Sequence, residues 1–579
     1  MIQSARSLSV ARWRRFLALA LLGMLAVAFS PRLLAQDEEE TDPVEKQKTE
    51  APLVIVNVAG VERILQDVDY TFASVDRDDV TTILNNLIEN VANNLEGIDR
   101  KKPLGLMIYL SDAFPPTPVV VAYVPVSEMS DLEKTLAKIN GTLAPVDGQE
   151  SLYKLSGVGR GESYALHQGG YLFITENEEE LDRKFADPEK VAATLTGRYD
   201  VAASLNLKSV PEAAKTAFLF YLRASAEAEL QQRDDEPAAQ YEMRKSSGQR
   251  TLELLEQLLT QGEQITIGAD FSTTNKQIRI ELAVDAKSES KFAEYLTDIG
   301  GKRSYFARML DGKAPLTVSS SWNLDKAGRE ILASVLKVGE GDVGAQLASD
   351  GDAETPAAGV FESLKATAKN GHVDLFIQML GEPPQKFVLV GGVRVEKDAQ
   401  MAASMAKILE RVRDKEGGGI AELELNVDSH NDVAIHRVRG SGTSRSDERL
   451  YGKERALYVG AGNKAIWFAV GGDEALPALK AAMDKVLEPR RPGENKDPDT
   501  PLQVIMNMGT WIAMSAGDEG GGGRFREVAS DAFAKGGQTL RVEVKPTESG
   551  ARMRVTFEEG FIRLIGLSIS RQMDRSNQL

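Results

Sequence analysis

The sequence predicts an α+β protein made of two tandem copies of one module, an antiparallel sheet with helices packed on it. Segments of strict alternation between apolar and polar residues recur along the chain and mark strands. Between them lie segments with apolar residues at helical spacing. The order of the two kinds repeats in the second half of the chain, which is the signature of a duplication.

At the N-terminus, Arg12, Arg14 and Arg15 precede the apolar run from Phe16 to Ser30, and Leu33-Leu34-Ala35 follows. This order predicts a secretory signal over residues 1–35, cleaved after Ala35, since a spanning helix needs ~20 apolar residues. An uncleaved N-terminal membrane anchor is the alternative. No cysteine follows the run, so no lipid is attached there. Residues 36–50, QDEEETDPVEKQKTE, are charged and lack aromatics, and predict a disordered acidic leader. No later segment is long and apolar enough to span a membrane, and the tail from Phe561 to Ile569 is short and carries Arg563.

The first copy covers residues 51–300 and opens with a strand at 53–58. Helices are expected over 60–96, where Val80, Ile83, Leu84, Leu87, Ile88, Val91 and Leu95 share one face. Strands near 104–110 and 118–126 and a helix near 130–139 complete this run. A second run leads from a strand at 200–207 through helices in 209–260 to strands at 263–272 and 275–286 and a helix at 288–299. Ile278, Ile280, Leu282 and Val284 alternate there with Arg279, Glu281 and Ala283, as in a strand with one wet face. The second copy, residues 301–579, has runs from a strand at 315–323 to a helix at 397–413, and from a strand at 501–507 to a helix at 559–571. Each copy can thus itself be read as a duplicated β-α-α-β-β-α unit.

Four strands end on Asn between apolar residues: Val56-Asn57-Val58, Leu205-Asn206-Leu207, Trp322-Asn323-Leu324 and Met506-Asn507-Met508. The expected role of this Asn is to cap the following helix. An extra piece follows the first and third runs, near 140–196 and 415–490. In it the segments from Tyr164 and from Leu457 both read as a hairpin with a Gly-containing turn and then an acidic helix start. Ala51-Pro52-Leu53 and Ala314-Pro315-Leu316 open the two copies, and Pro115-Pro116 and Pro383-Pro384 fall in matching strand–strand loops. Polar, Gly- or Pro-rich stretches at 233–247, 338–359, 440–449, 488–500 and 516–523 are expected as loops. In its general organisation the mature chain resembles bacterial secreted proteins of unknown function that carry repeated α+β modules. That resemblance rests on no diagnostic motif and implies no activity.

Composition narrows the partners. The formal charge is −17, and losing the five arginines of residues 1–35, which include no acid, takes the mature chain to −22. So acidic a surface repels nucleic acid and anionic lipid. With no cysteine, disulfides, thiolate metal sites and cysteine nucleophiles are excluded.

Candidate chemistry is sparse. The histidines are His167, His372, His430 and His436. Asp428, His430, Asp432 and His436 form the best metal-like cluster, yet Ser429 to Asp432 reads as a hairpin turn, where Asn and Asp serve the backbone. Ser-x-x-Lys occurs at Ser151, Ser288, Ser334 and Ser404 without a Lys-Thr-Gly partner. The glycines at 157–161 and 520–523 lack the helix start that holds a phosphate. Acid groups such as Asp76, Asp78 and Asp79, or Asp350 and Asp352, lack calcium-loop spacing. No residue is assigned a catalytic, cofactor-binding or metal role, and no cofactor is expected. The expectation is an exported, periplasmic or extracellular, non-enzymatic module that binds a protein, polymer or envelope component. The alternative is a carboxylate-dependent hydrolase acting on an envelope or extracellular substrate.

Overall fold

The computed structural model describes residues 51–111, 117–158, 161–310, 312–347, 357–382, 386–414, 420–442, 445–489, 500–514 and 523–576. Residues 1–50, expected as signal and leader, both proline pairs and Asp350 and Asp352 lie outside these residues. The described residues are mixed α and β, with twenty strands in a large antiparallel sheet and fifteen α-helices. They divide into two compact units. Unit 1 runs to Tyr221 and includes Glu263–Phe271; unit 2 holds Leu222–Gly262 and everything from Ser272 on.

Unit 1 contains β1 (Val54–Val58), α1 (Val61–Ala73), α2 (Asp78–Ala92), β2 (Leu104–Leu110), β3 (Pro118–Pro125) and α3 (Met129–Lys138). Then come β4 (Thr142–Val146), β5 (Gln149–Ser156), β6 (Ser163–Gln168), β7 (Tyr171–Thr175), α4 (Pro188–Thr196), β8 (Val201–Asn206), the start of α5 (Glu212–Glu229), and β9 (Gly262–Ser272). Its strands pair antiparallel in the order β9-β8-β1-β2-β3-β7-β6-β5-β4. On one face Met107, Tyr109, Val121, Tyr123 and Phe173 form a core with Ala192 and Leu195 of α4. On the other face Leu132 and Leu136 of α3 pack on Val126, Ala165 and Leu172.

Unit 2 adds α6 (Ala238–Gln261), β10 (Gln277–Ala286), α7 (Lys291–Asp298), β11 (Leu316–Asn323), α8 (Lys326–Leu347), α9 (Ala358–Asn370), β12 (His372–Leu380), β13 (Val388–Arg394) and α10 (Asp398–Asp414). It continues with β14 (Ile420–His430), β15 (Val433–Gly440), α11 (Arg445–Tyr451), β16 (Ala456–Gly462), β17 (Ala465–Gly471), α12 (Ala475–Leu487), β18 (Leu502–Asn507), α13 (Met508–Met514), α14 (Gly523–Phe533), β19 (Thr539–Pro546), β20 (Gly550–Glu558) and α15 (Glu559–Ser576). The strand order is β10-β20-β19-β18-β11-β12-β13-β17-β16-β15-β14, again antiparallel. Phe306, Phe376 and Trp467 meet at 4.8–6.4 Å between ring centres and pack with Leu479 and Met483 of α12. Gly392 lies opposite both Phe376 and Trp467, and a Cβ there would come within 2.8–3.0 Å of the Phe306 and Phe376 rings, so only glycine admits them.

Several local expectations change. Stretches 233–247, 338–359 and 440–449 are partly helical, since α6 starts at Ala238, α8 runs to Leu347 and α11 starts at Arg445. Packing overrides the polar and Gly content: Val343 joins Phe361, Ile408 and Val412, and Gly339 lets the Phe361 ring approach. The acidic segment after β7 is a 3-10 turn over Glu178–Asp182, and α4 starts later, capped by Asp187. Of the strand-end asparagines, Asn206 caps as expected, accepting from the Lys208 amide at 3.1 Å. Asn57 instead points into the core. It accepts from the Tyr123 hydroxyl at 2.9 Å and donates to Thr196 Oγ1 at 3.3 Å. Asn57, Gly105 and Tyr123 sit side by side on β1, β2 and β3, and the missing side chain of Gly105 lets Tyr123 lean across.

This contact is testable. Tyr123→Phe leaves the buried Asn57 oxygen without its donor and should cost about 1–3 kcal/mol in urea unfolding. A loss under about 0.5 kcal/mol would mean the bond carries no net stability.

Candidate functional site

In each unit one face of the strands leaves apolar side chains partly exposed. In unit 1 the register aligns Ile267, Ala203, Val56, Leu106 and Ala122 in one row across five strands. A neighbouring row holds Ile265, Leu205, Val54, Ile108 and Val120. None of these ten residues is buried, and Ile267, Val201, Val120 and Leu106 are 39–53% exposed. Their strand neighbours on the opposite face, among them Ile55, Met107, Val121, Ala202 and Thr266, are buried. In unit 2 Ile280, Val555, Val542, Val504, Val318 and Ile377 form the corresponding row across six strands. Ile280, Leu282 and Met553 on that face are 37–41% exposed. The wet face expected for β10 is therefore corrected: Glu281 and Ala283 are buried, and the apolar side is the open one. Contiguous apolar surface of this kind marks interaction sites in soluble proteins.

Titratable groups converge in unit 1. Arg63 of α1 pairs with Asp200 through Nε, reaches Asp270 of β9 at 3.1 Å and donates to the Thr196 carbonyl at 3.0 Å. Asp200 also accepts from the Phe271 amide. Asp67, one turn along α1, is half-buried beside this group. Burial first, then the charges of Asp200 and Asp270, against the opposing pull of Arg63, raise its pKa from 3.8 to about 7. Burial raises Asp200 as well. Sequence reasoning missed this cluster, because its members are scattered from α1 to β9 and none stands in a motif.

The histidine region is taken apart by the fold. Asn431 and Asp432 form the tip of the β14–β15 hairpin, both with positive φ. His430 Nε2 faces Asp484 Oδ1 at 2.7 Å, and Asp428 pairs with Lys480, both on α12. His436 is buried, and its Nδ1 accepts from the Asn426 amide at 3.1 Å where the β14–β15 register shifts. Burial holds it neutral by lowering its pKa. Among the described residues no group of three or more His, Asp or Glu side chains is placed to hold a metal ion.

One serine–histidine pair exists that the sequence did not suggest. Ser321 Oγ lies 2.9 Å from His372 Nε2, and Arg394 approaches His372 Nδ1 at 3.3 Å. An arginine can only donate, so Nδ1 is the acceptor and the proton sits on Nε2. Nε2 then donates to Ser321 and cannot take its proton. Burial, Arg394 and Lys302 lower the His372 pKa to about 4, and both partners are buried. The pair is core structure. Nearby, buried Asp374 accepts from Ser304 Oγ at 2.7 Å and from the Tyr305 amide at 2.6 Å. His167 lies on β6.

The chain matches no protein-family profile, and no curated protein or solved structure shows significant similarity to it.

The Asp67 cluster yields a pH test. Folded Asp67 keeps its proton up to about pH 7, while an unfolded Asp releases it near 3.8. Between those values the folded chain binds more protons, so this group's contribution to stability falls as pH rises. Asp67→Asn should flatten that fall, so that the variant gains on the wild type from pH 4 to pH 8 in urea midpoints. Parallel profiles would show that Asp67 titrates normally.

Proposed function

We propose that this chain is an exported, non-enzymatic binding scaffold that holds an apolar ligand, such as a lipid acyl chain, on the open sheet faces. The observation that carries this reading is the set of apolar rows left uncovered in each unit. Ile, Val, Leu, Met and Ala fill them almost without interruption, so the ligand part that meets them has no polar group to satisfy. The near absence of aromatic anchors favours a flexible chain over a protein partner, whose interface cores are rich in Tyr, Trp and Phe.

We further propose that the two halves are tandem copies. Supporting this, β8-β1-β2-β3-β7-β6-β5-β4 and β18-β11-β12-β13-β17-β16-β15-β14 follow the same order, each strand of the second set standing ten strands after its counterpart in the first. The last strands of the two sequence copies, β10 and β20, pair with each other. A second reading, a carboxylate-dependent hydrolase, draws support from Asp67 alone: an acid holding its proton near neutrality is a general-acid candidate. Asp200 and Asp270, the carboxylates that face Asp67 among the described residues, are committed to Arg63 and buried.

The binding reading predicts that purified full-length protein takes up cis-parinaric acid with saturable fluorescence. Val201→Asp with Ile267→Asp should remove the share bound by unit 1, and Ile280→Asp with Met553→Asp the share bound by unit 2. The reading fails if the wild type binds no parinaric acid, or if neither double variant weakens uptake.

A further inference from the structure

On the face of β10, β20 and β19 opposite Ile280 and Met553, the side chains are charged. The register sets Arg279, Thr556 and Arg541 in one row, with Glu281, Arg554 and Glu543 in the next. Gln277, Glu558 and Thr539 form the row on the other side. A cavity of about 270 Å³ opens over these strands.

Most of its charges are spoken for. Buried Glu281 takes Arg554 Nε and Nη2 on one oxygen at 3.0 and 2.8 Å. Glu543 accepts from Gln503 at 3.3 Å and faces Lys545 at 3.5 Å. Glu558 accepts from the Thr539 amide at 3.1 Å. Arg541 is the exception. It is half-buried and has neither hydrogen bond nor ion pair among the described residues, and a second guanidinium, Arg279, stands two strands away in its row. An arginine that lines a concavity with no direct partner of its own can recognise a planar carboxylate through two parallel N–H donors.

We propose that this cavity binds a small polar carboxylate, with the carboxylate on Arg541 and the ligand's own donors on Glu543 and Glu558. The two glutamates disfavour a dianion such as phosphate. They suit a ligand with a single carboxylate that also carries hydroxyl or ammonium groups, and Thr556, beside Arg541, offers a hydroxyl to either end. The volume suits one sugar acid or one amino acid and nothing polymeric. The site shares no residue with the apolar face, so the two proposals stand or fall separately.

The test is calorimetry on the full-length protein with galacturonate, glycine and inorganic phosphate as probes. One-to-one binding of galacturonate or glycine, with phosphate weaker, is expected; which of the two binds tells whether hydroxyls or an ammonium meet the glutamates. Arg541→Gln should weaken that carboxylate at least about tenfold, the loss of a charge-assisted bond. Thr556→Val should weaken it less. Should Arg541→Gln not fold, protection of Arg541 from phenylglyoxal by the bound carboxylate reads the same contact on the wild type. Absence of binding by both carboxylates, phosphate binding as tightly as either, or an affinity untouched by Arg541→Gln overturns the proposal.

Discussion

A strand sends alternate side chains to opposite faces, so a sheet must find cover or solvent for both. In this chain that constraint governs nearly everything else. One face of each unit is closed by a core that includes α4 or α12. The other is packed by α3 or by α9 and α10 over only part of its width. The strands β9, β8, β1 and β2 in unit 1, and β10, β20 and β19 in unit 2, keep apolar side chains partly in solvent. Across β10, β20 and β19 the usual polarity is inverted, with buried Glu281 on one side and exposed Ile280 and Leu282 on the other. Burying a carboxylate is tolerable there because Arg554 meets it with two N–H donors.

The buried polar groups follow the same logic of satisfaction. Asn57, His372, His436 and Asp374 each sit against a specific partner. Asn57 and Tyr123 tie β1 to β3 across Gly105, and His436 holds the β14 amide that the register shift leaves over. A neutral histidine does this work because one nitrogen accepts while the other donates. Such residues resemble site residues in sequence, being polar, isolated and embedded in apolar runs. Their surroundings identify them as structural.

Much of the fold was legible because alternation and helical spacing are direct consequences of backbone geometry. The strands at 53–58, 104–110, 315–323 and 501–507, and the helices at 397–413 and 559–571, form within a few residues of where the pattern puts them. What periodicity could not supply was the choice of face: the pattern of β10 is the same whichever side is wet, and only the neighbouring strands and helices decide. Helix 338–347 was hidden for a related reason, since its glycines read as a loop, while in the fold Phe361 packs against Gly339. The hairpin turn at 431–432 was legible from its Asn-Asp chemistry. The Asp67–Arg63–Asp200–Asp270 and Arg541 groupings were not, because they join residues far apart in sequence that only the register brings side by side.

An open apolar face invites self-association, and the chain's charge answers that. In the exported form proposed above, two copies approaching face to face bring together like net charges of −22 each, which disfavours stacking. The same surplus repels an anionic bilayer surface. On the proposed binding reading, a ligand meets the face with an apolar part that a few strands can cover. Affinity would come from the removal of both apolar surfaces from water, and selectivity from whatever polar group the ligand leaves outside the rows. On that reading the sheet supplies the adhesive surface, the partial helix cover sets its extent, and the acidic exterior works against pairing with a second copy.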